Sequence, residues 1–431
     1  MVMVQSDEIA IDPQGWNRTS VLVITGLTFT SFFNYMDRMA VAVLIEPIKR
    51  ALSLSDTQAG LITGLAFALF YAVMGVPIAR LADRRNKSII LVTCFLAWSA
   101  VTALSGLATS FLSLFILRLL VGVGEAGCLP TSFAIISERF HPRQLPLAIS
   151  LFQAGGRLGV ALGMACAGIA AELVGWRVTL VAVGLAGVPV AFVVALLLRG
   201  SDVKRPTAGG PEPKASLRVI LLYPGFLRLI CAISLASFGT YGITQWMAAF
   251  FVRSHGATLG EAGVLIGTSS GIGGFAGTLA GGAAAGVLIR RHRNWDLWVP
   301  AIAYFMAMPL FLAALFAPTE VASSSIYFIA TLVCTAGGGV ALAAVQRFTQ
   351  SAHRATANAL MLMISALTGV GLGPVAVGIL SDLLAAHFGV DSLRWALGLS
   401  TFAFLGAGIL FVFTASGSKK QDSIRTLAHE V

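Results

Sequence analysis

The chain has 431 residues, of which 57% are hydrophobic and 11% charged, and its mean hydropathy is +0.86, which excludes both an ordinary soluble globule and a disordered chain. The formal net charge of +10 does not point to nucleic acid, because the basic residues fall in alternate short joints and not on one face. What remains is an all-α integral membrane protein with almost nothing left over for a soluble or catalytic domain, so no enzymatic activity is expected.

Apolar runs bounded by charge or by Gly and Pro predict twelve transmembrane helices, at 20–46, 57–80, 88–108, 111–137, 145–172, 177–198, 222–252, 260–288, 297–317, 323–348, 356–382 and 392–414. Residues 1–19 are polar and acidic and carry no basic region leading into a short apolar core, so they read as a cytoplasmic tail and not as a cleaved signal peptide. Arg84, Arg85 and Lys87, Arg139 and Arg143, Lys204, Arg205 and Lys214, Arg290, Arg291 and Arg293, Arg354, and Lys419 and Lys420 occupy one set of joints. The opposite set holds Lys49, Arg50, Arg177, Arg253 and Arg394. The positive-inside rule then places both termini, including the tail 415–431, in the cytoplasm of a cell that is expected to be bacterial, with the protein in its inner membrane.

Residues 199–221 form a Pro-, Gly- and charge-rich cytoplasmic linker that divides two six-helix bundles, 20–198 and 222–414. The halves echo each other, since His141 and His353 each precede a glycine-patterned span and stand 212 residues apart, as do Gly159 and Gly371. Parallel repeats of this kind point to a transporter with its substrate near midplane between the halves.

Within the fourth span, Arg118 and Glu125 are separated by seven residues and so share one helix face. A charge at mid-bilayer costs at least about 2.5–3.5 kcal/mol, so this face is expected to border a polar path and not lipid. Gly122, Gly124 and Gly127 allow close approach of neighbouring helices. Asp37 lies near the centre of the first span, at a depth between those of Glu125 and Arg118 if the two helices run antiparallel. A carboxylate in low dielectric with movable arginine partners is suited to loading and releasing a proton, which makes Asp37 and Glu125 the candidate proton-coupling residues. The alternative is a permanent ion-pair network that holds helices one and four together.

Arg157 sits between Gly155 and Gly159 of a Gly155-x-x-x-Gly159-x-x-x-Gly163 ridge, about 200° of rotation from it, and faces the cavity if the ridge packs on a neighbour. With Arg38 and Arg118 it is a candidate holder of a phosphate or carboxylate, and equally a charge partner for Glu125 or Asp37. The second half offers Phe238, Tyr241 and Gln245 in the seventh span and Asn358 and Met361 in the eleventh as a candidate cavity wall for an amphipathic ligand. Cys94, Cys128, Cys166, Cys231 and Cys334 fall in apolar runs, and neither metal-ligand spacings nor phosphate-cradling loops are present, so no metal or cofactor is expected.

Gly75-Val76-Pro77-Ile78-Ala79-Arg80-Leu81-Ala82-Asp83-Arg84-Arg85-Asn86-Lys87 resembles the loop between helices two and three of the major facilitator superfamily, and Arg118 to Gly127 resembles its helix-four motif. Within the superfamily the chain is most similar to the spinster-like group, through Asn34-Tyr35-Met36-Asp37-Arg38, Leu54-Ser55-Asp56-Thr57-Gln58-Ala59-Gly60, Gly122 to Gly127, Gly175-Trp176-Arg177 and, in the second half, Gly371-Leu372-Gly373-Pro374 and Leu380-Ser381-Asp382. The resemblance implies a proton-coupled carrier alternating between inward- and outward-open states, acting on a lipid-like or amphipathic anion such as a lysophospholipid or sphingoid phosphate. It also implies that Asp83 and Arg84 brace a cytoplasmic gate near Arg354 in the outward-facing state. Asn-Tyr-x-Asp-Arg occurs as well in symporters of small organic anions such as sugar acids, the rival reading. Expected partners are the substrate, protons and membrane lipids, without nucleic acid, for a protein working as a monomer.

Overall fold

The computed structural model describes residues 16–141, 143–199, 223, 225–349 and 353–429, without the side chains of Asp83, Arg354, Ala355 and residues 418–429. The linker and most of both tails therefore lie outside the described residues. Among the described residues twelve long helices carry the chain back and forth: α1 (Arg18–Leu52), α2 (56–84), α3 (Lys87–Ser105), α4 (Phe111–Arg139), α5 (145–174), α6 (176–197), α7 (Phe226–His255), α8 (Leu259–Leu288), α9 (Trp295–Leu315), α10 (Glu320–Arg347), α11 (354–388) and α12 (392–429). Runs of 19–30 apolar residues at about 1.5 Å per residue reach across a hydrocarbon layer of about 30 Å. Length and hydropathy alone mark nine candidate spans among the described residues. Two of these, Leu145–Leu197 and Thr356–Gly417, each contain two crossings, and the nine do not include α1, whose apolar run is diluted by Thr, Ser and Asn34.

Local chemistry sets the ends. Asn17, Ser55, Asn86, Ser110, Thr258 and Thr319 each accept a backbone N–H from the first turn of the following helix. The α5–α6 junction turns at Gly175, whose φ of 79° is open to glycine and costly for other residues. Arg177 secures that junction by donating from Nη1 to the carbonyls of Ala108, 2.6 Å, and Gly106, 3.2 Å, in the neighbouring α3–α4 loop.

Helices 1–6 and 7–12 form two bundles, and the core of the second runs on into Met39 and Val43 of α1, Ala59 of α2 and Met164 of α5. Phe95 and Trp98, stacked at 4.5 Å, and Phe152 centre the first, while Trp246, Tyr304, Phe311 and Phe404 centre the second. Glycine decides how closely the helices approach. A Cβ on Gly155, Gly159 or Gly163 would lie 2.4 Å from the Thr28 carbonyl oxygen, 2.2 Å from that of Phe32, or 2.7 Å from Met36 Cα, so the expected ridge is the face that α5 presents to α1. In α4, Gly122 presses on the Phe67 carbonyl of α2, Gly124 on Trp98 of α3 and Gly127 on Cys94 of α3. These contacts fix α1, α2, α3 and α5 around the charged face of α4.

The bundles meet along two lateral seams, α2 against α11 and α5 against α8. Hydrogen bonds and ion pairs between the bundles gather at one end of the molecule, where α1 ends, α2 begins and α7 ends. Short π-helical segments at Leu61–Leu65 in α2 and Ala366–Leu372 in α11 face each other across one seam, with Gly64 against the Gly371 carbonyl.

Candidate functional site

Four charged side chains from α1 and α4 meet inside the first bundle. Arg38 donates from Nη2 to Glu125 Oε2 at 2.8 Å and from Nε to the same oxygen at 3.3 Å. Arg118 Nη1 lies 4.0 Å from Asp37 Oδ2, an ion pair too long for a hydrogen bond. The four residues are 0–7% exposed. Asp37 Oδ2, Glu125 Oε1 and Arg118 Nε and Nη1 have no hydrogen-bond partner among the described residues. Thr102 and Glu125 complete the polar surroundings of Asp37.

Burial of four charges requires compensation, and two acids with two arginines balance to zero. Aromatic faces supply the rest: the Arg38 guanidinium lies 4.3 Å from the ring centre of Phe67, 5.0 Å from Tyr71 and 5.3 Å from Tyr35. Adding one proton to either acid would leave the cluster with unit positive charge.

Arg157 is separate from this cluster. It is half-buried on α5 and reaches the second bundle, where a Cβ on Gly274 of α8 would lie 3.1 Å from its Nη1. Its side chain makes no hydrogen bond or ion pair among the described residues. Tyr241 of α7 is half-buried near Tyr35, Arg38 and Arg157 and thus stands where the two halves face each other.

The remaining expected wall is spread out. Phe238 and Asn358 are half-buried, whereas Met361 is 2% exposed within the packed core of the second bundle. Gln245 is also 2% exposed and donates from Nε2 to the Thr63 carbonyl of α2 at 3.2 Å, which makes it part of the contact between the bundles. Helical spacing put Phe238, Tyr241 and Gln245 on one face, but the bundles converge along α7, so the end of that face is closed. Of the expected cytoplasmic gate, Arg84 is exposed, and the side chains of Asp83 and Arg354 lie outside the described residues.

Sequence reasoning missed a second charged cluster, at the end where the bundles join. Arg253 of α7 donates from Nε to Glu46 Oε2 at 2.7 Å, and from Nη1 and Nη2 to the two oxygens of Asp56 at 2.8 Å each. Lys49 also contacts Asp56, and Ser381 donates to Asp56 Oδ2 at 2.6 Å. The available signal was that Glu46, Lys49, Asp56, Arg253 and Asp382 all border span ends on the same side.

Two helical bundles joined at one end, with a balanced charge cluster buried at mid-depth, are the architecture of a membrane transporter. The family model for the Major Facilitator Superfamily matches residues 27–370, and the chain belongs to that family. It is 31% identical to an MFS-type efflux pump of Mycolicibacterium smegmatis, over 95% of each chain. It is 27% identical to the sphingosine-1-phosphate transporter SPNS2 of Xenopus tropicalis, covering 93% of this chain and 82% of that one. Among solved structures it resembles a bacterial homologue of the human lysosomal transporter spinster in an inward-facing, unoccupied conformation, with a TM-score of 0.84 and 26% identity over 94% of this chain and 99% of that one. The expected spinster-like character and all-helical fold are thus shown.

Proposed function

We propose that the protein is a proton-coupled secondary transporter of an amphipathic, lipid-like anion of the lysophospholipid or sphingoid-phosphate type. The observation that carries the coupling is the buried Asp37, Arg38, Arg118 and Glu125 cluster: one acid is held by a 2.8 Å bond and the other by a 4.0 Å contact. Asp37 is the loosely held acid and takes up the proton. Arg118 is then freed toward Glu125, which loosens the Arg38 contact and changes how α1 and α4 pack. That change transmits protonation to the bundle interface through α1, which contacts α7.

Arg157 supports the anionic part of the substrate, being a guanidinium without an acidic partner among the described residues, set between the halves and suited to a phosphate or carboxylate. The likeness to a sphingosine-1-phosphate transporter favours a single-chain lipid phosphate as cargo, and the likeness to an efflux pump favours export. By the positive-inside rule both termini are cytoplasmic, so the joined end faces outward and the structure stands inward-facing, in a bacterial inner membrane, as a monomer. In the outward-open state Asp83 and Arg84 brace the cytoplasmic end against the start of α11 near Arg354, a reading that rests on the loop motif.

The test is transport in proteoliposomes under an imposed pH gradient. A fluorescent lysophospholipid or sphingoid phosphate moves with an accompanying proton flux, and a gradient of the lipid alone drives protons. Proton movement driven by a sugar acid, and not by either lipid, would replace this reading with the organic-anion symporter.

A further inference from the structure

The lateral seams between the bundles are built twice from one plan. At the joined end α2 starts behind the cap Ser55 and α8 behind the cap Thr258, each with a capping box closed by Gln58 or Glu261. The same small residues follow, Ala59-Gly60 with Gly64 in α2, and Ala262-Gly263 with Gly267 in α8, 203 residues apart throughout. The facing helices correspond too. A Cβ on Gly60 would sit 2.5 Å from the Pro374 oxygen and one on Gly263 2.3 Å from that of Met164, while Gly64 and Gly267 meet the oxygens of Gly371 and Ala161 at 2.6 and 2.4 Å. Pro374 and Met164 are 210 residues apart, and so are Gly371 and Ala161.

Each seam finishes on a carboxylate. α11 ends its contact with Gly378-Ile-Leu-Ser-Asp382 and α5 with Gly168-Ile-Ala-Ala-Glu172, again 210 residues apart. Asp382 accepts the N–H of Asp56 at 3.0 Å, the N–H of Thr57 at 2.8 Å and the Thr57 hydroxyl at 2.6 Å. Glu172 Oε1 accepts the N–H of Gly260 at 2.7 Å. One turn earlier, a Cβ on Gly378 or Gly168 would lie 2.3 Å from the carbonyl oxygen of Asp56 or Leu259, so only a glycine lets each acid come this close to the opposite helix. The first N–H groups of a helix lack internal partners and its N-terminal dipole favours an anion. Each bundle therefore supplies a carboxylate that completes a helix of the other, a bond that exists only while this end is closed.

We propose that Asp382 and Glu172 are reciprocal clasps, positioning residues that set the ratio of the two access states without touching substrate. The inference does not depend on which substrate is carried. Both acids are exposed even in the closed state, and when the seams part each helix start loses its carboxylate, so the clasps weigh only on the closed side of the equilibrium. Loss of a helix cap corresponds to roughly a fivefold change in such a ratio.

The test places spin labels on Leu107 and Val390, exposed residues of opposite bundles at this end, in protein whose five cysteines are replaced by serine, and reads their separation by double electron–electron resonance in nanodiscs. Asp382→Ala and Glu172→Ala each raise the long-distance population ratio by roughly fivefold, and the double variant by roughly 25-fold if the sites are independent. A second pair on Leu147 and Ile289, at the opposite end, shortens as the first lengthens. An unchanged distribution in the double variant overturns the proposal, and so does lengthening at the joined end without shortening at the other, which is loosened packing alone. Should the double alanine variant not fold, Asp382→Ala and Glu172→Ala singly decide by the same ratio: a rise supports the clasps and no change in either refutes them.

Discussion

Arg253 and Asp56 meet in a two-pronged contact, both guanidinium-to-carboxylate distances being 2.8 Å, across the boundary between the bundles. One helix end from each half is thereby tied to the other, and Glu46 extends the tie to α1 through a further 2.7 Å bond. Two-pronged geometry of this sort is among the stronger charge contacts available to a protein, and it is not conserved on replacement by lysine.

Arg253→Ala is expected to loosen the joined end. The Arg253 side chain is 13% exposed and those of Glu46 and Asp56 7% and 5%, so water screens the network partly, and its loss should cost about 1–3 kcal/mol, less than the ~3–5 kcal/mol of a fully buried broken pair. Gln245, buried against Thr63 nearby, is a reporter. In a background carrying Gln245→Cys, a membrane-impermeant thiol reagent should react at least about tenfold faster after Arg253→Ala. Equal rates would mean that the ionic knot does not bear on closure.

Asp37 and Glu125 should respond differently to neutralisation because their arginines hold them differently. Glu125→Gln removes the charge 2.8 Å from Arg38, a guanidinium 7% exposed among aromatic rings, and is expected to lower stability by about 3–5 kcal/mol, read as a fall in the thermal midpoint of the purified protein. Asp37→Asn breaks a longer, 4.0 Å contact but leaves the buried Arg118 charge without its acid, so it is expected to cost no more than the same ~3–5 kcal/mol while abolishing pH-gradient-driven transport. A variant with Asp37→Asn that retains a pH-dependent rate would assign the cluster a purely structural role.

Arg157→Ala should spare the fold, since no hydrogen bond or ion pair is lost among the described residues, yet weaken binding of an anionic amphipath by about tenfold or more, the loss of one charge-assisted contact of ~1.5–3 kcal/mol. Ligand-induced stabilisation of detergent-solubilised protein reads this directly, with a neutral single-chain lipid as the comparison. An identical shift for both ligands in the variant and the parent would exclude Arg157 from anion recognition.

The parts of this architecture that were legible beforehand are those whose physics is local. Hydrocarbon thickness forces runs of about 20 apolar residues, so helix number and approximate boundaries follow from hydropathy. Charges within such runs are costly enough to single out Asp37, Arg118 and Glu125 before any coordinates exist. The partner assignments were not legible: Asp37 and Arg38 are adjacent in sequence but point to different α4 residues, Asp37 to Arg118 and Arg38 to Glu125. The clusters at the joined end escaped notice because their residues border water at span ends, where a charge looks like an ordinary topology signal. Only the packing of the bundles reveals that Arg253 and Asp382 both meet Asp56 at the start of α2, and that Glu172 meets the start of α8 at Gly260. Met361 and Gln245 illustrate the same limit, since helix periodicity fixes relative faces but not where two bundles converge.

The glycine seams allow a last prediction that separates closure from folding. A Cβ on Gly60 would meet the Pro374 carbonyl oxygen at 2.5 Å, a backbone atom that cannot move aside alone, whereas one on Gly282 meets nothing within 4 Å. Gly60→Ala is thus expected to push α2 and α11 apart at a cost of about 1–3 kcal/mol, and Gly282→Ala to be neutral or slightly stabilising, because alanine favours the helix by about 0.8–1 kcal/mol. Gly159→Ala forms the internal comparison: its Cβ would lie 2.2 Å from the Phe32 oxygen inside one bundle, where no rocking motion relieves the clash. That variant should lose thermal stability in every state. Gly60→Ala should instead keep most of its thermal midpoint while the reactive Gln245→Cys thiol becomes accessible, since the two bundles separate as bodies already permitted to move. Equal destabilisation by Gly60→Ala and Gly159→Ala would show that the seam is as rigid as the bundle interior and that the joined end does not open in the manner described.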